Sequence, residues 1–343
     1  MSADTKPETG GYFGLELPDY GDSFSGLTGY QSARAALRAV FSTGFIKQLW
    51  LPAYVCDSVL QSAEQAGVPY TTYLLDETLY PAQVPAVLAD GEVLLYVNYF
   101  GLKQDNVLRL QQSYPSGHLI IDNSHALFAR PYDVLACVYS PRKFAGLPDG
   151  GWLAASEALK LVPPDVEDEG SFERLRFMML RTAHSAREGY AAFNAARQSL
   201  QGLPPLAMSR ITRRLMRSID WVSVAAKRKA HFAILHKHLS VLNDLQWTPQ
   251  EDEVPLCYPL MVPPSVNVQA LRIRLAEQNI FVPVYWPDAS SRLQPDNIAA
   301  RLVHRTLFLP IDQRMDTQQC LDLAQTVIEL MKQSDFDDGS HGF

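Results

Sequence analysis

The 343-residue chain reads as an α/β protein, a three-layer sandwich with a mostly parallel sheet, followed by a smaller α+β unit. Three observations predict this. Short apolar runs alternate with helical runs through the first half, the pattern of strands covered on both faces. The length exceeds what one core usually organises, so a second, smaller domain is expected. From about Asp244 the pattern changes to isolated strand-like and helical segments.

In order along the chain, residues 1–22 look like a flexible arm. A helix follows over Ser32–Phe41, with Ser32 as N-cap and an apolar face of Ala35, Ala36, Leu37, Val40 and Phe41. Strands are predicted at Gln48–Pro52, Tyr70–Leu75, Val93–Tyr99, Leu119–Asp122, Ala136–Tyr139 and Trp152–Ala155. Helices are predicted at Asp57–Gln65, Pro81–Leu88 and Asn106–Ser113. An acidic loop over 162–170 leads to two long helical stretches, Phe172–Gln201 and Ser209–Leu242. Their basic clusters, Arg213-Arg214 and Lys227-Arg228-Lys229, read as solvated faces of interface-lining helices. The last part carries strands at Val254–Val262 and Phe281–Trp286, a helix at Val268–Gln278 and a final helix from Thr317 to Lys332. The expected units are an arm at 1–22, a large domain with interface helices at 23–243 and a small domain at 244–343.

Composition narrows the function. Hydrophobic residues make up 47% and charged residues 20%, as in an ordinary globular protein. The net charge of −7, with no polybasic block, argues against nucleic acid or an anionic membrane as main partner. Cys56, Cys137, Cys257 and Cys320 are scattered, with no C-x-x-C and no histidine cluster at metal spacing. They read as reduced thiols of a cytoplasmic protein and not as a disulfide frame or metal site. No apolar stretch is long enough to span a bilayer, and the polar N-terminus lacks a signal core. Glycine-rich dinucleotide and P-loop motifs are missing.

Chemistry concentrates at two strand ends. Leu119-Ile120-Ile121 runs into Asp122-Asn123-Ser124-His125, and the strand-like Leu135–Tyr139 runs into Ser140-Pro141-Arg142-Lys143 with Pro148-Asp149-Gly150-Gly151 beyond. Ligands of parallel sheets bind at the carboxyl ends of strands, where Asn98-Tyr99-Phe100 also falls. A lysine and a carboxylate there supply the two charges that pyridoxal phosphate needs: an amine for a Schiff base and an acid to keep the pyridine nitrogen protonated. His125 can donate to the ring oxygen or stack on the ring. Ser32-Ala33-Arg34-Ala35 opens a helix whose free N–H groups and dipole suit a phosphate, with Ser32 or Arg34 adding a side-chain donor. Ser140, three residues before Lys143, can reach the same phosphate. Taken singly each residue is unremarkable; the pairing of Lys143 with Asp122 carries the expectation.

In these landmarks the chain resembles the fold-type I pyridoxal-phosphate enzymes, and within them the nucleotide-sugar aminotransferases of the DegT/StrS type. The landmarks recur in order over most of the chain: Ser32–Leu37, Leu51-Pro52-Ala53-Tyr54, Tyr99-Phe100-Gly101, Asp122 to His125, Lys143 to Gly151, and Leu307-Phe308-Leu309-Pro310. The resemblance implies Lys143 as Schiff base, Asp122 at the ring nitrogen, His125 at the ring oxygen, and Arg34-Ala35 at the phosphate. It also implies a homodimer with sites at the subunit interface. The chain departs from the pattern at several points. Val138 stands where the family has a serine, with Ser140 as substitute, and Asp149 replaces a glutamate. The position of the ring-stacking aromatic falls at Cys56, with Tyr54 nearby, and Met208-Ser209-Arg210 is the nearest candidate for the segment that reaches the partner's site.

The expected activity is an aminotransferase that moves an amino group from an amino acid donor to a keto sugar nucleotide or similar carbonyl acceptor. Tyr285, Trp286 and Arg210 are candidates for the substrate, and Arg34, Arg142 and Arg305 a candidate charge cluster for a diphosphate. The alternatives are another fold-type I chemistry on an amino acid, or a pyridoxal-phosphate-binding regulator without turnover.

Overall fold

The computed structural model describes residues 9–337. Elements run β1 (Thr28–Tyr30), α1 (Ala33–Phe41), β2 (Gln48–Pro52), α2 (Asp57–Ala66), β3 (Tyr70–Leu75), β4 (Pro81–Ala82), β5 (Glu92–Val97), α3 (Gln104–Ser113), β6 (Leu119–Asn123), β7 (Ala136–Tyr139) and β8 (Gly151–Ala155). A helical stretch follows: α4 (Ser171–Arg174), α5 (Arg176–Ala183), α6 (Ala186–Gln198), α7 (Arg210–Arg217) and α8 (Trp221–Leu239). The chain continues through β9 (Tyr258–Met261), α9 (Val268–Glu277), α10 (Ile298–Arg305), β10 (Thr306–Leu309) and α11 (Thr317–Asp337).

Eight strands form one sheet in the order β1-β8-β7-β6-β5-β2-β3-β4. Strands β3, β2, β5, β6 and β7 are mutually parallel, and β8, β1 and β4 run antiparallel to their neighbours. The central strands β6 and β7 are buried at every position, which explains their unbroken apolar sequence up to Asp122. Helix α1 lays Ala35, Ala36, Leu37, Val40 and Phe41 against the sheet, as its periodicity predicts. The second sheet pairs β9 with β10 antiparallel, in register Tyr258 to Leu309. Among the described residues no helix is long and apolar enough to cross a membrane.

Four predicted elements differ. The Pro81–Leu88 segment forms β4 and then irregular chain, with Gln83 at φ 63°. Pro85 lacks an amide donor and disfavours a helical Val84, which defeats a helix there. Phe281–Trp286 is irregular and not a strand. Pro283 cannot donate to a ladder, and Trp286 adopts a left-handed conformation at φ 53°. The stretch predicted as one helix over Phe172–Gln201 is three, and it restarts at Ser185, whose Oγ accepts the Glu188 N–H at 3.2 Å while bonding the Glu188 carboxylate at 3.1 Å. That Ser-x-x-Glu pattern is a capping box and marks a helix start. The stretch predicted as one helix over Ser209–Leu242 breaks before Asp220, which caps α8 through the Ser223 N–H at 3.0 Å.

Arg228 corrects the reading of its basic cluster. It is only 2% exposed and lies on the stripe of α8 that buries Trp221, Val224, Phe232 and Leu235. Its guanidinium stacks on Phe144 at 4.7 Å and donates to the Leu256 carbonyl at 2.9 Å and to that of Phe144 at 3.5 Å.

Candidate active site

Three parallel strands deliver their ends to one place. In register, Val97 lies beside Asp122, and Asp122 beside Val138. Asp122 is 5% exposed, and its Oδ1 accepts the Ser124 N–H at 2.8 Å, a turn that ends β6 and fixes the carboxylate. Beyond β7, Pro141 opens a single helical turn that ends on Lys143, whose N–H reaches the Ser140 carbonyl at 3.2 Å. The Lys143 Nζ lies 5.9 Å from the Tyr285 ring and 5.7 Å from that of Trp286. Burial pushes the ammonium below its ordinary value, and Asp122 pulls it back up, more than Cys56 or Cys257. A lysine so placed releases its proton more readily than a solvated one.

His125 is fully buried. Burial first, and then Lys143, hold its imidazole well below the usual histidine value, so the ring is neutral. Its Nδ1 accepts the Phe100 N–H at 3.4 Å, which puts the hydrogen on Nε2. That buried Nε2 has no partner. The ring stacks on Trp286 at 4.9 Å and 12° and on Phe100 at 5.6 Å and 27°. Phe100 and Gly101 both have positive φ, and a Cβ on Gly101 would stand 2.7 Å from the Val254 carbonyl oxygen and 2.8 Å from that of His125. The tight Tyr99-Phe100-Gly101 turn thus lets His125 and the C-terminal part approach each other. Tyr54 is fully buried, stacked on Tyr99 at 5.7 Å and edge-on to Trp286 at 4.7 Å, with its hydroxyl 3.4 Å from the Tyr285 carbonyl.

The start of α1 is tied to the lysine turn. Ser32 caps the helix by accepting the Ala35 N–H at 3.1 Å. The Gly150 N–H donates to the Gln31 carbonyl at 2.7 Å, and Ser32 and Gly150 form a parallel bridge. A Cβ on Gly151 would fall 2.2 Å from the Ala33 nitrogen, so only glycine permits this approach.

Sequence reasoning missed a group of charges here. Arg34 donates to the Leu200 carbonyl at 3.5 Å, which brings the end of α6 and Arg197 alongside α1. Arg174 is 4% exposed, paired with Asp168 at 2.6 Å and bonded to Ser199 Oγ at 2.7 Å. Ser171 donates to the fully buried Asp149. The basic residues are far apart in sequence, so no local pattern announces their meeting. Arg305 lies elsewhere: it pairs with Asp244 and bonds the Val262 carbonyl, so it does not join Arg34 and Arg142. Arg210 begins α7 with its side chain 90% exposed and ion-paired to Glu167 at 3.2 Å, whereas its neighbours Met208 and Ser209 are buried.

No protein-family model and no curated protein matches the chain. Solved structures do. A sugar aminotransferase, Spr1654 from Streptococcus pneumoniae, described as putative, superposes with a TM-score of 0.63 at 12% identity, over 92% of this chain and 88% of that one. A DegT DnrJ EryC1 StrS aminotransferase from Brucella abortus gives a TM-score of 0.60 at 10% identity, over 89% and 86%. DesV of S. venezuelae gives 0.58 at 17% identity, over 89% and 84%. The fold is therefore the one shared by a class of solved structures described as aminotransferases. Within that class the chain is similar to structures of the DegT/StrS sugar aminotransferase type, along nearly the whole length of each.

Proposed function

We propose that this protein is a pyridoxal 5′-phosphate-dependent aminotransferase that takes nitrogen from an amino acid donor and delivers it to a keto sugar nucleotide or similar carbonyl acceptor. The observation that carries the reading is the buried, unpartnered Nε2–H of His125, on the strand end where Asp122 stands and close enough to Lys143 to feel its charge. Such a donor needs an acceptor that no protein atom provides, and the 3-oxygen of a pyridoxal ring is one.

The residues present fit that cofactor. Lys143 would hold it through Nζ, Asp122 would accept from its ring nitrogen and His125 would donate to its ring oxygen. The capped start of α1, with Ser32, Arg34 and Ala35, and Ser140 would take its phosphate, and Tyr54 would bound the ring pocket. When bound, the cofactor supplies an electron sink for the carbon that loses a proton. Lys143 Nζ, its pKa lowered by burial, would take the proton from the donor carbon and return it to the carbon on the far side of the bridging nitrogen. The Asp122 carboxylate stays oriented by the Ser124 N–H, and the aromatic wall of Tyr54, Tyr99 and Trp286 keeps water from the amine. Tyr285 and Trp286, brought from the C-terminal part to within 6 Å of Lys143 Nζ, would meet the substrate. The four cysteines are unpaired thiols, in keeping with a cytoplasmic setting.

The test is spectroscopic. The visible band of the loaded protein should fade with an amino acid donor and return when a nucleotide-linked keto sugar is added. Return with simple 2-oxo acids alone would move the protein to amino acid chemistry, and no response to any donor would refute transamination.

The active unit is, in this reading, a homodimer. Exposed Phe172, Met179, Tyr190 and Phe193 on α4 to α6 offer apolar surface for it, and Arg210 projects where it can reach a neighbour. Mixed Lys143→Ala and Arg210→Ala chains should recover about a quarter of normal activity if each site uses both subunits. No recovery, or full activity in a strictly monomeric protein, would exclude a shared site.

A further inference from the structure

The charge around the start of α1 exceeds what the protein itself neutralises. Arg34 sits in the first turn of α1, and Arg142 directly precedes Lys143; in both, the buried Nε lacks a partner. Arg197, near the end of α6, comes to the same place because the Arg34 guanidinium bonds the carbonyl of Leu200. Of the acids nearby, one is paired with an arginine and the other keeps its buried Oδ1 without a partner. Asp168 pairs with Arg174 at 2.6 Å, and Asp149 takes the Ser171 hydroxyl. Arg142 is pushed down to about 10, first by burial and also by repulsion from Arg174, Arg197 and Arg34, against the attraction of Asp149. Three guanidinium groups thus face one carboxylate, an excess that matches a dianion. Hydroxyl groups are few by comparison: Val138 is fully buried and apolar, and Ser32 Oγ also serves as the helix cap, which leaves Ser140.

We propose that Arg142 and Arg34, with Arg197 at the rim, form a guanidinium pocket that holds the phosphate of the cofactor by charge, at the place where the resembled family uses a serine. This rests on the pyridoxal phosphate reading above. Planar guanidinium groups bind phosphate oxygens in pairs and keep their charge at any working pH, which suits a half-buried dianion. The unsatisfied Nε atoms then find acceptors, and the repulsion among the arginines is relieved on loading.

The experiment compares pyridoxal 5′-phosphate with pyridoxal, which lacks the phosphate, by absorbance titration of the full-length protein. Arg142→Met and Arg34→Met should each weaken pyridoxal 5′-phosphate about ten- to a hundredfold and leave pyridoxal affinity nearly unchanged. Arg142→Lys should recover part of the loss. Arg197→Met, at an exposed position, should cost a few-fold with the same selectivity. Equal loss for both ligands would make the arginines packing elements and overturn the proposal. Unchanged affinity with a raised Michaelis constant for the amino donor would overturn it too, because the pocket would then serve the donor carboxylate. If the unaltered protein binds neither ligand, the cofactor reading itself fails, a result distinct from binding that ignores these arginines.

Discussion

Replacing Lys143 with alanine should abolish covalent retention of pyridoxal phosphate and reduce turnover by about 10³-fold or more. The size of the effect follows from two duties falling on one nitrogen, attachment of the cofactor and transfer of the proton. No neighbour can take over, since His125 is neutral, stacked between rings and held by the Phe100 amide. Borohydride reduction of the unaltered protein should fix the chromophore on the peptide containing Lys143. Recovery of the label on a different lysine would overturn the assignment. The substitution should hardly disturb the fold, because the turn is built by Pro141 and backbone hydrogen bonds and not by the lysine side chain.

Asp122→Asn should lower turnover by about 10²–10³-fold while leaving cofactor affinity close to normal. The amide oxygen can still accept the Ser124 N–H, so the strand end keeps its shape. What disappears is the negative charge opposite the ring nitrogen, and with it the ring's capacity to draw electrons. Steady-state rates and absorbance titration of the same variant separate the two effects. Near-normal turnover would reduce Asp122 to a turn residue, and equal loss of affinity and rate would point to a collapsed site.

Much of this architecture is legible in the sequence, for identifiable reasons. Strands β2, β3 and β7 fall at the predicted bounds; β7, buried at every position, carries no charged or amide side chain, whereas β3 shows its β-branched Thr71 and Thr72 to solvent. The placement of Asp122 and Lys143 on neighbouring strand ends follows from the order of the runs: β6 and β7 pair in parallel, Asp122 stands opposite Val138, and the turn after β7 carries Lys143. Long-range meetings are not legible. Arg174 and Arg197 come near Arg34 and Arg142 only through the segment that follows α6, where Leu200 meets Arg34 and Ser199 meets Arg174, and nothing local distinguishes them from surface arginines. Arg228 was readable in principle: it recurs at helical spacing with Val224, Phe232 and Leu235, a pattern that outweighs the lysines on either side. Proline explains the errors at Pro81–Leu88 and Phe281–Trp286, where apolar content suggested order that Pro85 and Pro283 forbid.

The contact between Gly150-Gly151 and Ser32-Ala33 is made by main chain on both sides. It works like a fixed jig: the distance from the lysine turn to the mouth of α1 is set by peptide geometry and is indifferent to which side chains surround it. Descendants of such a scaffold can exchange a hydroxyl for a guanidinium, or one aromatic wall for another, without recalibrating the span between the two ends of a bound molecule. Chemical variety at this site is therefore cheap, and a single methyl group at Gly151 is the change it cannot absorb.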